Sequence, residues 1–258
     1  MRLRPLPAFS DNYIWTLAHE NGRALVVDPG EAGPVLQAAA EGLRPEVVLL
    51  THHHSDHVGG VGELLHSWPD LRVVAPDDER ITTATERVGD GAIVEAIGRR
   101  FGVLSIPGHT RSHIAFVSAP EDEDLVFCGD TLFSLGCGRM FEGTPTQMLA
   151  SLDRLASLPD STRICCGHEY TLANAAFARI CEPGNPALEW RTQQAEAQRG
   201  AGLPTLPSTL ADERAANPFL RVDAPDVRAS IARRLGHAPT DRVEVFAELR
   251  RWKDGFRA

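Results

Sequence analysis

The chain contains one stretch that constrains its fold more than any other. The apolar run Val47-Val48-Leu49-Leu50 passes directly into Thr51-His52-His53-His54-Ser55-Asp56-His57-Val58-Gly59-Gly60. A short aliphatic, β-branched run closed by polar residues and glycines predicts a buried strand that ends in a loop. Four imidazoles and a carboxylate then crowd into the six positions from His52 to His57. Along an extended chain, side chains alternate, so His52 and His54 are expected to point one way and His53 another. Asp56 and His57 lie past the strand end, free to turn toward a second point. Neutral imidazole and carboxylate are the ordinary ligands of transition metals, so the run predicts a metal-binding loop at a strand end. Gly59 and Gly60 are expected to let the backbone bend there.

The remaining composition sets limits on the fold around this loop. A chain of 258 residues, 43 % hydrophobic and 24 % charged, suits a soluble protein of one large domain or of one domain plus a smaller appendage. No run approaches the 18 consecutive apolar residues of a membrane span, and the start, MRLRPLPAFSDNY, has no signal-peptide pattern. Five cysteines, two of them adjacent and none in C-x-x-C spacing, fit no disulfide framework and predict a cytoplasmic protein with free thiols. A net charge of −9 disfavours a nucleic-acid groove.

Strands are expected at 13–18, 24–27, 47–50, 71–75, 93–97, 102–106, 114–118, 125–128 and 163–166, with helices at 34–41, 62–68 and 145–158. The segment 76–89 reads as polar and weakly helical, and Glu121-Asp122-Glu123-Asp124 as a solvated acidic turn. From Thr171 onward strand-like runs cease, and helical patterns at 171–180, 186–199, 227–235 and 242–256 take over. The expected division is therefore a β-rich domain over 1–170 and a small helical domain over 171–258.

Three more strand ends repeat the opening pattern. An apolar run and a glycine precede His109 (PGH), Asp130 (CGD) and His168 (CGH). Four such ends in series predict loops converging on one edge of a sheet sandwich. Asp28, at the end of the 24–27 strand, is placed to orient a ligand histidine, and His113 to support the site by hydrogen bonding. His19, His66 and His237 lack this context.

With these residues in hand, the chain resembles the metallo-β-lactamase superfamily. Within it, the strings FSDNYIW, THHHSDHVGGV, PGHTRSH, FCGDTLFSLGCGRMFEGT, GHEYTLAN and LRRWKDGF are similar to the glyoxalase II (hydroxyacylglutathione hydrolase) family over nearly the whole length. The resemblance implies an α/β (α+β) fold, a four-layer αββα sandwich with a small C-terminal helical domain. It implies two divalent metals, zinc by preference with iron or manganese compatible. His52, His54 and His109 would hold one, Asp56, His57 and His168 the other, with Asp130 between them. A water shared by two such metals is acidified toward a pKa of about 7 or below, with Asp56 helping to orient it. Asp56 and Asp130 are thus the expected catalytic carboxylates.

The implied reaction is hydrolysis of S-D-lactoylglutathione and related thioesters to glutathione and a 2-hydroxy acid. A thiol with a pKa of about 8.5 leaves without prior protonation. The resemblance places Arg139, Phe141, Tyr170, Arg250 and Lys253 against the tripeptide, with Phe141 standing where some relatives carry tyrosine. Lys253 is the only lysine among 26 lysine and arginine residues, and it shares a helix face with Arg250 at i, i+3 spacing. The expected partner is a small glutathione thioester bound by a monomer, with no nucleic acid or membrane. A persulfide dioxygenase or a lactonase of the same fold is the alternative.

Overall fold

The computed structural model describes residues 1–119 and 124–256. The acidic run at 121–123 therefore lies outside the described residues. Packing divides the chain into two compact units. The first comprises Met1–Ser105, Ser112–Gly129 and Cys165–Glu169; the second comprises Ile106–Arg111, Asp130–Ile164 and Tyr170–Ala258. Each unit is discontinuous in sequence, and the second groups the 130–164 stretch with the helical region.

The first unit is built on a six-stranded sheet in sequence order: β1 (Arg2–Ala8), β2 (Asn12–Ala18), β3 (Arg23–Val27), β4 (Arg44–Leu49), β5 (Arg72–Pro76) and β6 (Glu86–Val88). β1 to β3 are antiparallel, and β3 to β6 are parallel. The parallel connections require crossovers. Helix α1 (Gly33–Ala40) supplies one, and helices α2 (Ser55–Val58) and α3 (Val61–Ser67) supply the next. Ile14, Val26, Val48, Leu50, Val73 and Ala75 share one sheet face with Val35, Ala38, Val61 and Leu64 of the helices. Trp15, Leu17, Leu25, Val27, Val47, Leu49 and Val74, the alternate residues, are also buried. A strand buried on both faces reads as a continuous apolar run, which is why Val47–Leu50 is legible as a strand.

Strands β7 (Ile93–Ala96), β8 (Arg99–Ser105), β9 (Ile114–Ser118) and β10 (Leu125–Gly129) form an antiparallel set, with β13 (Arg163–Cys166) beside β10. The Trp15 indole donates to the Cys166 carbonyl at 2.8 Å, and Tyr13 N to Gly167 O at 2.8 Å. These bonds tie the end of β13 to the start of β2.

The second unit holds the hairpin β11 (Leu132–Phe133) and β12 (Gly136–Cys137), the short strand β14 (Ser208–Thr209) paired with Arg163 and Ile164, and six helices among the described residues. They are α4 (Pro145–Ala156), α5 (Thr171–Cys181), α6 (Pro186–Gly200), α7 (Leu210–Ala216), α8 (Pro225–Leu235) and α9 (Arg242–Gly255). Their core is aromatic: Phe177 stacks on Phe219 at 6.1 Å, and Phe219 meets Phe246 edge-on at 5.9 Å.

Several short elements escape the sequence patterns. β1 carries Pro5 and Pro7, which argue against a strand but are tolerated on an edge. The expected weak helix over 76–89 is instead a turn followed by β6. No helix among the described residues is long and apolar enough to cross a membrane.

Helix α4 begins with a complete capping box. Thr144 Oγ1 accepts from Gln147 N, Gln147 Oε1 accepts from Thr144 N, and Pro145 follows at the first turn. Thr144→Ala is expected to lower stability by about 1 kcal/mol, read as a shifted urea midpoint at unchanged slope. An unchanged midpoint would show that the cap contributes nothing.

Candidate metal centre

In the first unit, β3 and β4 run parallel with Val27 opposite Leu49, so Asp28 and the Thr51-His52 segment emerge at the same sheet edge. Asp28 has φ 50°, a left-handed conformation rare for a residue with a side chain. Such strain persists only where the surroundings enforce it. Here they do. The buried Asp28 carboxylate accepts from Thr51 N at 2.8 Å and Thr51 Oγ1 at 2.7 Å, and lies 3.0 Å from His57 Nδ1.

That last contact decides what His57 does. With Nδ1–H committed to Asp28, the lone pair sits on Nε2, which faces Asp56 Oδ2 at 3.6 Å. His168 repeats the device: Nδ1 lies 2.8 Å from Asp11 Oδ1, and Nε2 lies 3.4 Å from the same Asp56 oxygen. Asp56 is held in turn by Asn12 Nδ2, which donates to its Oδ2 at 3.1 Å. Donor atoms of Asp56, His57 and His168 all lie within 4.8 Å of one another. Two oriented imidazoles and a carboxylate at that spacing suit a divalent cation.

Asp28, His52 and His57 form another close group. Asp28 does not act as a ligand in it, because its oxygens are spent on Thr51 and on His57 Nδ1. His52 instead continues the relay: its Nδ1 meets Thr51 Oγ1 at 3.0 Å, and that hydroxyl donates to Asp28. The His54 ring centre lies 4.7 Å from that of His52. His53 turns elsewhere, with Nδ1 3.4 Å from Asp78 Oδ2. Asp78 is gripped by Arg80 and Ser112, and the Arg80 guanidinium holds its carboxyl well below the usual range. His113 stacks on His52 at 4.6 Å and directs Nδ1 to the Ile114 carbonyl at 3.1 Å.

The local backbone differs from the extended loop that alternation suggests. β4 stops at Leu49, and Asp56 and His57 sit on the single helical turn α2. Gly59 and Gly60 have ordinary φ values of −61° and −80°. Their small size serves close packing instead. A Cβ on Gly59 would lie 2.6 Å from Gly30 O, and one on Gly60 would lie 2.4 Å from Glu31 C.

In the second unit, His109 Nδ1 lies 2.8 Å from Arg139 O, and Nε2 lies 3.5 Å from Asp130 Oδ2. Both residues are buried. The Phe141 ring meets His109 edge-on at 5.2 Å and is 64 % exposed. Tyr170 precedes α5, with its ring 5.2 Å from that of Phe133. Near the end of α9, the buried Arg250 donates from Nη1 to Cys137 O at 2.7 Å and pairs with Asp254 Oδ1 at 3.0 Å. Arg139 lies 3.5 Å from the same Asp254 oxygen. Lys253 donates to Ala173 O at 2.9 Å and lies over Phe177 at 5.4 Å. Burial, reinforced by the Arg250 and Arg139 charges, pushes its pKa down to about 8.

Asp11, Asn12 and Thr51 have roles that sequence reasoning misses. Asp11 sits within FSDNYIW, and its partner His168 is 157 positions away.

The fold and this donor arrangement define a metallohydrolase-like chain of one class. Residues 11–168 match the family model "Metallo-beta-lactamase superfamily". The chain is also similar in fold to a solved B3 metallo-β-lactamase, BLEG-1, with TM-score 0.64, 22 % identity, and 85 % of this chain and 99 % of that chain covered. A structure of TTHA1623 in a di-iron-bound form aligns at TM-score 0.54 and 32 % identity, covering 64 % of this chain and 91 % of that one. Residues 169–256 match the model "Hydroxyacylglutathione hydrolase C-terminus". A hydroxyacylglutathione hydrolase of Xylella fastidiosa (strain M23) is 59 % identical over 256 residues, 99 % of this chain and 98 % of the relative. The chain belongs to the hydroxyacylglutathione hydrolase family. Its fold is the mixed α/β fold of that superfamily followed by a helical C-terminal region.

If Asp28 orients His57, Asp28→Asn is expected to weaken metal binding about ten- to a hundredfold, measured by competition with a chromophoric chelator. Wild-type affinity in a folded variant would remove Asp28 from the site.

Proposed function

We propose that this chain hydrolyses S-2-hydroxyacylglutathione thioesters, S-D-lactoylglutathione foremost, to glutathione and a 2-hydroxy acid. The observation that carries this reading is the full-length similarity to a relative bearing the hydroxyacylglutathione hydrolase name. The donor chemistry supports it. His52, His54 and His109 are proposed to hold one metal, Asp56, His57 and His168 a second, and Asp130 to serve both. When bound, two divalent cations supply an acidified water and a Lewis acid for the thioester carbonyl. Zinc suits this nitrogen and oxygen set, and the di-iron form of the similar TTHA1623 makes iron the main rival.

The chain's own residues do the rest. Asp28 and Asp11 keep the His57 and His168 lone pairs on Nε2, and Asn12 keeps Asp56 Oδ2 in place to orient the attacking water. No general acid is required, because a thiolate leaves unprotonated. Burial pushes Cys137 up to about 11 and Cys181 up to about 12, so neither thiol competes as a nucleophile near neutrality. All five cysteines are buried thiols rather than disulfides, which supports a cytoplasmic location. One chain carries all seven proposed donors, which supports action as a monomer.

Arg139, Tyr170, Arg250 and Lys253 are the proposed glutathione contacts. The tripeptide is a net anion meeting a chain of net charge −9, so the three cations Arg139, Arg250 and Lys253 supply the local attraction. Phe141 offers the tripeptide only an apolar ring.

Hydrolysis of S-D-lactoylglutathione, followed with and without chelator and paired with elemental analysis, tests the reading. Two metals per chain and chelator-sensitive hydrolysis are expected. A metal-loaded chain inert toward the thioester would end it.

Lys253 adds a pH prediction. Only its protonated form attracts a carboxylate, so KM is expected to rise as pH climbs through about 8. Lys253→Arg is expected to lack that inflection. A flat KM in the wild type up to about pH 9.5, well past the usual midpoint of such a lowered lysine, contradicts the assignment.

A further inference from the structure

The hairpin between Asp130 and Arg139 is too short to hold its own shape. Leu132 pairs with Cys137 and Phe133 with Gly136, leaving Ser134 and Leu135 as the turn. Leu135 has φ 59°, the left-handed region that a branched side chain avoids. An isolated two-stranded hairpin is marginal in water at best. Something else must impose this conformation.

Buried side chains from the helical region do so. The Asn217 Nδ2 lies 3.0 Å from each of Phe133 O, Gly136 O and Glu213 Oε2, and shares its two N–H groups among these three acceptors. Glu213 Oε2 in turn accepts the Leu135 backbone N–H at 2.8 Å. Asn174 Nδ2 reaches Ser134 O at 3.0 Å, Arg191 Nη2 reaches Ser134 Oγ at 3.1 Å, and Arg250 Nη1 reaches Cys137 O at 2.7 Å. Helices α5, α6, α7 and α9, and the residue capping α7, thus all contribute contacts to these six residues. Glu213 and Asn217 have no solvent exposure, so each bond lost there leaves a buried polar group unsatisfied.

The base of the hairpin abuts Asp130 itself. Gly138 N donates to Thr131 O at 3.1 Å, and a Cβ on Gly138 would lie 1.9 Å from Asp130 O. With no slack between them, a displaced hairpin displaces the Asp130 backbone.

We propose that Glu213 and Asn217 are positioning residues for Asp130, setting its carboxylate beside His109 by clamping the Leu132–Cys137 hairpin. The helical region then builds part of the metal site as well as receiving substrate. This rests on the reading of Asp130 as a metal ligand.

The test uses the full chain with Glu213→Met, which keeps the shape of the side chain but removes its acceptor oxygens, Asn217→Ala and, as control, Ser230→Ala. Ser230 is buried in the same unit and donates to Cys181 O at 2.7 Å. Thermal unfolding of each metal-free chain checks folding, and zinc titration against a competing chelator reads the two metal-binding steps. Glu213→Met and Asn217→Ala are expected to fold and to weaken at least one step by about tenfold or more, while Ser230→Ala leaves both unchanged. Wild-type zinc affinities in the folded clamp variants, or an equal loss in Ser230→Ala, would overturn the proposal. If Asn217→Ala does not fold, Glu213→Met decides alone. If the wild-type chain itself takes up no second zinc, the reading of Asp130 as a ligand fails first, and the clamp falls with it.

Discussion

An imidazole has two nitrogens, and this protein repeatedly spends one of them to aim the other. His57 gives Nδ1 to Asp28, His168 gives it to Asp11, and His109 gives it to the Arg139 carbonyl. Each commitment settles a tautomer and a ring orientation before any ligand arrives. The remaining nitrogen of each ring is left facing an aspartate, Asp56 in the first unit and Asp130 in the second. The strained backbone at Asp28, the glycine contacts around 30, 59 and 60, and the Asn12–Asp56 bond all serve this aiming.

The cost of this arrangement is borne by packing. Buried imidazoles and carboxylates demand hydrogen-bond partners to offset their lost hydration. The first unit meets that demand with a sheet buried on both faces, whose parallel strand ends deliver Asp28 and the Thr51–His52 segment side by side. The second meets it with side chains from several helices converging on a short hairpin. A region that composition marks as a separate helical appendage is therefore part of the scaffold around Asp130 and His109.

Much of the fold was legible because long elements carry strong periodicity. Val47–Leu50, Ile114–Ser118 and the helical patterns after Thr171 announce themselves, since a doubly buried strand and an amphipathic helix each leave a plain signature. Elements with weak signatures were not legible: the proline-bearing edge β1, the four-residue α2 and the turn-plus-strand at 76–88. The same asymmetry holds in the site. His52, His54, His57, His109 and His168 stand out as rare residues after apolar runs. Asp11, Asn12, Glu213 and Asn217 do not, because each is an ordinary polar residue whose meaning lies in a distant partner.

The protein itself sets where the proton sits on each of these rings. Nitrogen-15 spectra of the histidine rings in the zinc-loaded protein test it most directly. A proton on Nδ1 and metal coordination through Nε2 are expected for His57, His109 and His168. Coordination through Nδ1, or the signal of an unliganded imidazole, at any of the three would contradict it.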